Sequence, residues 1–384
     1  MTSSIVSTLD GVIGAGRPVV SVAPIALSAP GRPVPLEVRV SAPATGTDLP
    51  VVLFSHGNGW NLDGYAPLTA FWASRGFVVI QPTHLDSRRN GFGFDHPVFP
   101  RIWTERIADL ARILDQIDTI EAAVPGLAGR IDRSQVAATG HSWGGQTAQA
   151  LLGARIFDET GQVGEDMSDE RVAAGILFAA TGVGGDDLHP FAQANFPFMR
   201  PSFQELTTPT LVIAGDHDQS TMSSRGPDWF TDAYTCSPGA TDLLTFHGAE
   251  HSLGGIVGHE VAETTDENPE RVAIIQRMST AYLRTALNVD ETSWPAVRTA
   301  FSESNDPVAH VDSKKCVTAR PPPFAIRRSR GVLPPTPQVP PRIASSSGTV
   351  VRTRTSRPAP ASPRVVVARS TEPERAGIQS AASA

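Results

Sequence analysis

The sequence predicts an α/β protein: a mostly parallel sheet with helices on both faces and an antiparallel hairpin near the N-terminus. Three observations carry this reading. Continuous apolar runs at 50–54, 77–80, 172–180 and 210–214 have the length and composition of strands buried on both faces. Segments with helical spacing stand between them, at 65–75, 102–120 and 146–152, as crossovers between parallel strands require. Ahead of them, Leu36-Glu37-Val38-Arg39-Val40 alternates with period two, which suits a half-exposed antiparallel strand.

Taken in order, residues 1–18 read as a flexible lead-in. Residues 19–27 and 34–40 are two extended runs around the turn Ala29-Pro30-Gly31-Arg32-Pro33. The strand at 50–54 ends in Ser55-His56-Gly57-Asn58-Gly59-Trp60. A helix over 65–75 stops at Gly76, and the strand at 77–80 follows. Residues 84–100 are irregular. In the segment 102–120, Ile102, Ile107, Leu110, Leu114 and Ile117 share an inward face, and Glu105, Arg106, Asp109, Arg112 and Asp115 fall on a face read as solvated. The strand at 131–139 leads into Gly140-His141-Ser142-Trp143-Gly144-Gly145 and then a helix-forming run. Later strands at 210–214 and 243–246 end in Gly215-Asp216-His217-Asp218 and Gly248-Ala249-Glu250-His251. Asn268-Pro269-Glu270 opens a helix to about residue 287, with Pro in its first turn.

Composition changes after Cys316. Residues 317–384 hold 11 Arg, no Lys and 2 Glu, with abundant Pro, Ser and Ala and no periodicity. This segment is expected to be a disordered tail: a basic interaction arm, or an appended sequence of the kind GC-rich codons produce. The domain plan is therefore a lead-in at 1–18, one domain at 19–316 and a tail at 317–384. The net charge of −7 gives no support for a nucleic-acid partner. Cys236 and Cys316 are too few for a disulfide framework and read as free thiols. The first twenty residues lack a basic start, and Asp10 interrupts their apolar stretch, so no secretion signal is legible and a cytoplasmic location is expected. The longest apolar run, 172–180, is too short to span a bilayer.

Candidate functional residues all fall at the carboxyl ends of strands, where open parallel sheets collect their chemistry. Ser142 sits on a strand–turn–helix with glycine on either side, the arrangement of a nucleophile elbow. A serine hydroxyl needs a base, an acid to orient that base, and donors for the oxyanion. His251, after the last strand, is the expected base, with His247 and His259 as rivals. Asp218 is the expected acid, ahead of Asp216, Asp186 and Asp187. The backbone amides of Asn58 and Trp143 are the expected oxyanion donors. Trp60 and Trp229 are candidate substrate contacts. The aromatic segments at 92–99, 191–203 and 229–234 either line an apolar pocket or pack as a satellite core. His84, Asp86, Asp95 and His96 lie close in sequence but lack metal-ligand spacing, and no phosphate-cradling or dinucleotide fingerprint is present.

With these residues in place, the chain resembles an α/β-hydrolase over about residues 19–290. Ser55-His56-Gly57-Asn58-Gly59 and Gly140-His141-Ser142-Trp143-Gly144-Gly145 are similar to motifs of the group holding plasma platelet-activating-factor acetylhydrolase, chlorophyllases and cutinase-like polyesterases. The resemblance implies a carboxylic ester hydrolase without a cofactor, acting on a small-molecule or lipid-like ester. It implies Ser142 as nucleophile, His251 as base, and Asn58 and Trp143 as oxyanion amides. Where the acetylhydrolase carries its acid, this chain has Ala180-Thr181-Gly182. That favours the later Asp218, the polyesterase position. Acyl transfer or perhydrolysis by the same residues, and a non-catalytic binding module on the same fold, are the alternatives.

Overall fold

The structure is a computed structural model. It describes residues 4–314 except 94, 159, 259–260 and 305–307, together with the backbone of 364–368. The chain begins with α1 (Ser4–Ile13), then β1 (Val19–Leu27), β2 (Leu36–Pro43), β3 (Leu49–Ser55), α2 (Ala66–Ser74) and β4 (Val78–Pro82). Next come α3 (Ile102–Asp115), α4 (Ile117–Ala123), β5 (Ile131–His141), α5 (Trp143–Leu151), β6 (Arg155–Ile156) and β7 (Val172–Phe178). They are followed by α6 (Pro190–Asn195), β8 (Pro201–Ser202), β9 (Thr210–Gly215), α7 (Asp232–Cys236) and β10 (Ala240–Phe246). The last elements are α8 (Pro269–Ala286), α9 (Ser293–Glu303), β11 (Ala309–Ser313) and β12 (Arg364–Ala368).

One mixed sheet of ten strands runs in the order β11-β10-β9-β7-β5-β3-β4-β2-β1-β12. The six strands from β10 to β4 pair in parallel, and β11, β2, β1 and β12 join antiparallel. Every residue of β3, β4 and β9 is buried, as their unbroken apolar runs require. The N-terminal hairpin expected from the alternation is β1–β2, with Val22 opposite Val40.

The order of the parallel strands places the site. The chain steps from β3 out to β4, then returns to β5 on the other side of β3. Right-handed crossovers put the helices of these opposite steps on opposite faces. Accordingly α2 packs with α8, and α3 packs with α5. The direction reverses between β3 and β5, and a crevice opens at their carboxyl ends. Ser55–Trp60 leaves β3 there, and Ser142 follows β5.

Three expectations need correction. Residues 4–13 are a helix, not a loose lead-in. Ile5, Val6, Leu9 and Ile13 follow helical spacing and are buried, and α1 packs against α8 and α9. The charged face of 102–120 is not fully solvated: Arg106 and Asp109 are 2% and 0% exposed, because partners from distant segments neutralise them. The helix also breaks at Gln116. Within the tail, Val365-Val366-Val367 belongs to a strand, with Val367 opposite Val20 on β1. Branched residues favour that pairing. The rest of 317–384, and Cys316, lie outside the described residues.

The helical lead-in has a direct check. Leu9 is wholly buried, so Leu9→Ala is expected to lower unfolding free energy by about 2–5 kcal/mol. Urea denaturation measures it, and an unchanged midpoint would mean α1 contributes nothing to the core.

Candidate active site

The elbow forms because three glycines let backbones meet. A Cβ on Gly144 would stand 1.9 Å from the Ser55 carbonyl oxygen, and one on Gly140 would stand 2.2 Å from the Gly144 carbonyl oxygen. A Cβ on Gly145 would stand 2.5 Å from the Ala180 Cβ. With side chains absent, α5 starts directly over the end of β3. Ser142 takes φ 56 and ψ −122 at that corner, a conformation that costs a non-glycine residue about 1–3 kcal/mol. Its amide donates to the Phe178 carbonyl at 3.0 Å, and its own carbonyl accepts from Gln146.

The structure brings Ser142, His251 and Asp218 into one line. Ser142 Oγ lies 2.9 Å from His251 Nε2. His251 Nδ1 lies 3.1 and 3.0 Å from the two Asp218 carboxylate oxygens. The His251 side chain is 40% exposed, while Asp218 is fully buried. Burial pushes the Asp218 carboxyl up from its ordinary range, with His251 opposing the shift.

The rivals are engaged elsewhere. Asp216 accepts from His247 Nδ1 at 2.9 Å and from the Gly248 amide at 2.6 Å. Asp187 pairs with Arg225 at 3.1 Å, and Asp186 is exposed. His259 lies outside the described residues. Asp218 reaches His251 because it stands two residues beyond Asp216 on the loop after β9, past the pairing of Asp216 with His247.

Ser142, Asn58, Trp143 and His251 line a cavity of about 230 Å³, together with Thr181, Met199, Met222, Trp229 and Phe230 among others. Trp143 opens α5, so its amide is a first-turn donor without an intrahelical acceptor. Its ring packs edge-on against Phe196 and Phe198. Trp229 is a buried wall whose indole N–H donates to the Val183 carbonyl at 2.7 Å. Trp60 does not line this cavity; its ring sits edge-on to Tyr65. The aromatic segments therefore divide: 229–230 faces the cavity, and 196–198 packs behind Trp143. A larger cavity of about 630 Å³ beside Trp103 and Phe198 contains none of Ser142, His251 or Asp218.

A buried charge cluster that periodicity did not reveal holds the loop bearing Asn58. Arg106 Nη1 contacts both Asp86 oxygens, at 2.6 and 2.7 Å. The same guanidinium donates to the His56 carbonyl, to Ser55 Oγ and, from Nε, to Thr147 Oγ1 on α5. Asp86 also accepts from the Gly59 amide at 3.3 Å. Burial raises the cost of charge on Asp86, but Arg106, His56 and His84 outweigh it, and its carboxyl titrates below the ordinary range. Burial, reinforced by Arg106, lowers His56 to about 4. Thus His84 and Asp86, two of the four residues weighed as a metal set, are spent on internal bonds. Among the described residues no cluster of His, Cys, Asp and Glu is arranged to hold a metal.

This cluster contains a second Ser–His–Asp line. Ser55 Oγ lies 2.9 Å from His84 Nε2, and His84 Nδ1 lies 3.0 Å from Asp109. All three residues are 0% exposed, and the Arg106 guanidinium donates to the Ser55 oxygen. A substrate carbonyl has no access to that serine. Its role is to satisfy buried polar groups.

Removing one member of the ion pair strands the other. Arg106→Met is expected to cost about 3–5 kcal/mol at neutral pH. The sign of its pH dependence inverts. In the wild type Asp86 is depressed on folding, so its contribution is present at neutral pH and lost as the pH falls through the folded value. In the variant, burial acts on Asp86 without Arg106, its largest counterweight, and acidification should recover stability. Denaturant unfolding at two pH values checks both the loss and the inversion.

No described helix is long and apolar enough to cross a membrane. A search of curated proteins returned no match. The model of the Alpha/beta hydrolase family matches residues 52–250, a span running from β3 to the residue before His251. This covers more than half of the chain, and hydrolysis is the reaction class that goes with it. The chain belongs to the alpha/beta hydrolase family.

Proposed function

We propose that the protein cleaves a carboxylic ester through Ser142, His251 and Asp218. The observation that carries this reading is the 2.9 Å approach of Ser142 Oγ to His251 Nε2 in an open cavity. His251 Nδ1–H donates to Asp218, which fixes the tautomer and leaves Nε2 to accept the serine proton. Ser142 Oγ attacks the ester carbonyl as that proton moves to Nε2. The oxyanion collects its charge at the amides of Trp143 and Asn58. His251 then gives the proton to the departing alkoxide, and an acyl-enzyme remains. Water, deprotonated by His251, releases the acid and restores Ser142.

The chemistry of the cavity supports the substrate class. Met199, Met222, Trp229 and Phe230 give its wall an apolar part, beside the polar Asn58, Thr181, Gln219, Ser220 and Thr221. That suits an acyl group with an apolar chain and a polar head. The motif resemblance to chlorophyllases, acetylhydrolases and cutinase-like polyesterases points to an ester rather than an amide. A volume of about 230 Å³ favours short acyl chains.

Ser142→Ala should lower kcat on p-nitrophenyl butyrate by about 10⁴–10⁶-fold and abolish labelling by a fluorophosphonate. Retained turnover would remove Ser142 from the mechanism. Asp218→Asn should cost about 10³–10⁴-fold, whereas Asp216→Asn should leave kcat close to wild type. Across a panel from acetate to dodecanoate esters, kcat/KM should peak at the short end. A maximum at the longest chains would contradict the assigned cavity.

A further inference from the structure

A buried line of hydrogen bonds joins the three loops of the site. The Gly57 amide donates to Tyr65 Oη at 3.0 Å. Tyr65 Oη lies 2.9 Å from His141 Nδ1. His141 Nε2 lies 2.7 Å from the main-chain carbonyl oxygen of His251. A carbonyl only accepts, so the proton of the neutral imidazole is assigned to Nε2. Nδ1 is then bare and accepts the Tyr65 O–H. The direction of every bond follows: Gly57 into Tyr65, Tyr65 into His141, His141 into the backbone of His251.

Each end of this line adjoins a working part. Gly57 precedes Asn58, His141 precedes Ser142, and the final acceptor belongs to the proposed base itself. The protonation pattern is also fixed. Burial, with His251 adding to it, lowers His141 to about 3. Burial pushes the Tyr65 phenol well above its ordinary value. Neither group changes charge near neutrality. This matters because His251 becomes a cation during turnover, with its ring 4.8 Å from that of His141. A neutral His141 holds the loop without repelling that cation.

The backbone around the line is strained. Tyr65 and Leu253 have φ of 63 and 49, left-handed values for residues that carry a Cβ. Such conformations persist only where the surroundings over-determine them. The Tyr65 amide donates to Val257 at 2.8 Å, which ties its loop to the chain just after His251.

We propose that Tyr65 and His141 are positioning residues for the reaction. They form one tether that fixes the oxyanion loop, the elbow and the base loop relative to one another. The proposal rests on the serine-hydrolase reading above. It concerns geometry, and neither residue touches the ester.

The test compares Tyr65→Phe, His141→Leu, their double variant and His141→Gln. Readouts are kcat and KM on p-nitrophenyl butyrate, the rate of fluorophosphonate labelling at Ser142, and the thermal midpoint. Tyr65→Phe and His141→Leu should each lower kcat and the labelling rate by about 10- to 100-fold with KM little changed, as small misplacements of reacting groups do. The double variant should lose no more than its worse parent, because both substitutions cut one tether. His141→Gln keeps an N–H for the His251 carbonyl and should recover most of the loss. Wild-type kcat in folded Tyr65→Phe, or losses that multiply in the double variant, would overturn the proposal. If His141→Leu does not fold, Tyr65→Phe against His141→Gln decides by the same criteria. A wild type that labels but does not turn over the ester would refute ester cleavage, and the labelling rates would still judge the tether.

Discussion

The site depends on a guanidinium placed where no water reaches. Arg106 bonds at once to Asp86, to the end of β3 and to α5. It therefore fixes the strand exit that carries Asn58 to the helix that begins at the elbow. Two buried charges are individually unfavourable, and their attraction offsets the lost hydration only with good geometry and further hydrogen bonds. Here those bonds go to Ser55, His56, Thr147 and Gly59. The ion pair contributes a fixed geometry more than net stability, and the proposed reaction needs fixed geometry because its proposed donors are backbone amides that cannot adjust by rotating a side chain.

The same logic separates the two Ser–His–Asp lines. Their connectivities match, with distances between 2.9 and 3.1 Å in both. Environment distinguishes them. Ser55 is sealed among charges that already claim its oxygen. Ser142 stands on a strained corner, faces a cavity, and has a half-exposed histidine as neighbour. Connectivity alone does not identify a nucleophile; access and an unclaimed lone pair do.

Much of this was legible in the sequence, for a physical reason. Strands buried on both faces leave unbroken apolar runs, so β3, β4, β7 and β9 stood out. The elbow announced itself because close backbone approach demands Gly140, Gly144 and Gly145. Ser142, His251 and Asp218 could be assembled from strand-end positions. What stayed hidden depends on long-range pairing. Arg106 and Asp109 fit the polar face of an amphipathic helix, and only Asp86 and Arg32, brought in by the fold, make their burial tolerable. Likewise α1 was short and followed by Gly14 and Gly16, so its apolar stripe carried little weight until α8 and α9 were there to cover it.

The ends of the sheet bear on how the molecule behaves among its own copies. Parallel strands are the slow part of such a fold, and an open strand edge presents a row of unpaired amides and carbonyls to any other chain. Here β11 lies along β10 on one side, and β12 lies along β1 on the other. The six-strand parallel core is thus flanked by β11 and β2, and β12 is the outermost strand beyond β1. β12 is drawn from a basic, proline-rich stretch that otherwise looks unrelated to the domain. In this arrangement residues 364–368 act as a hem: they end the fabric of the sheet with a short strand, and a chain shortened before them would offer β1 as a template for self-association.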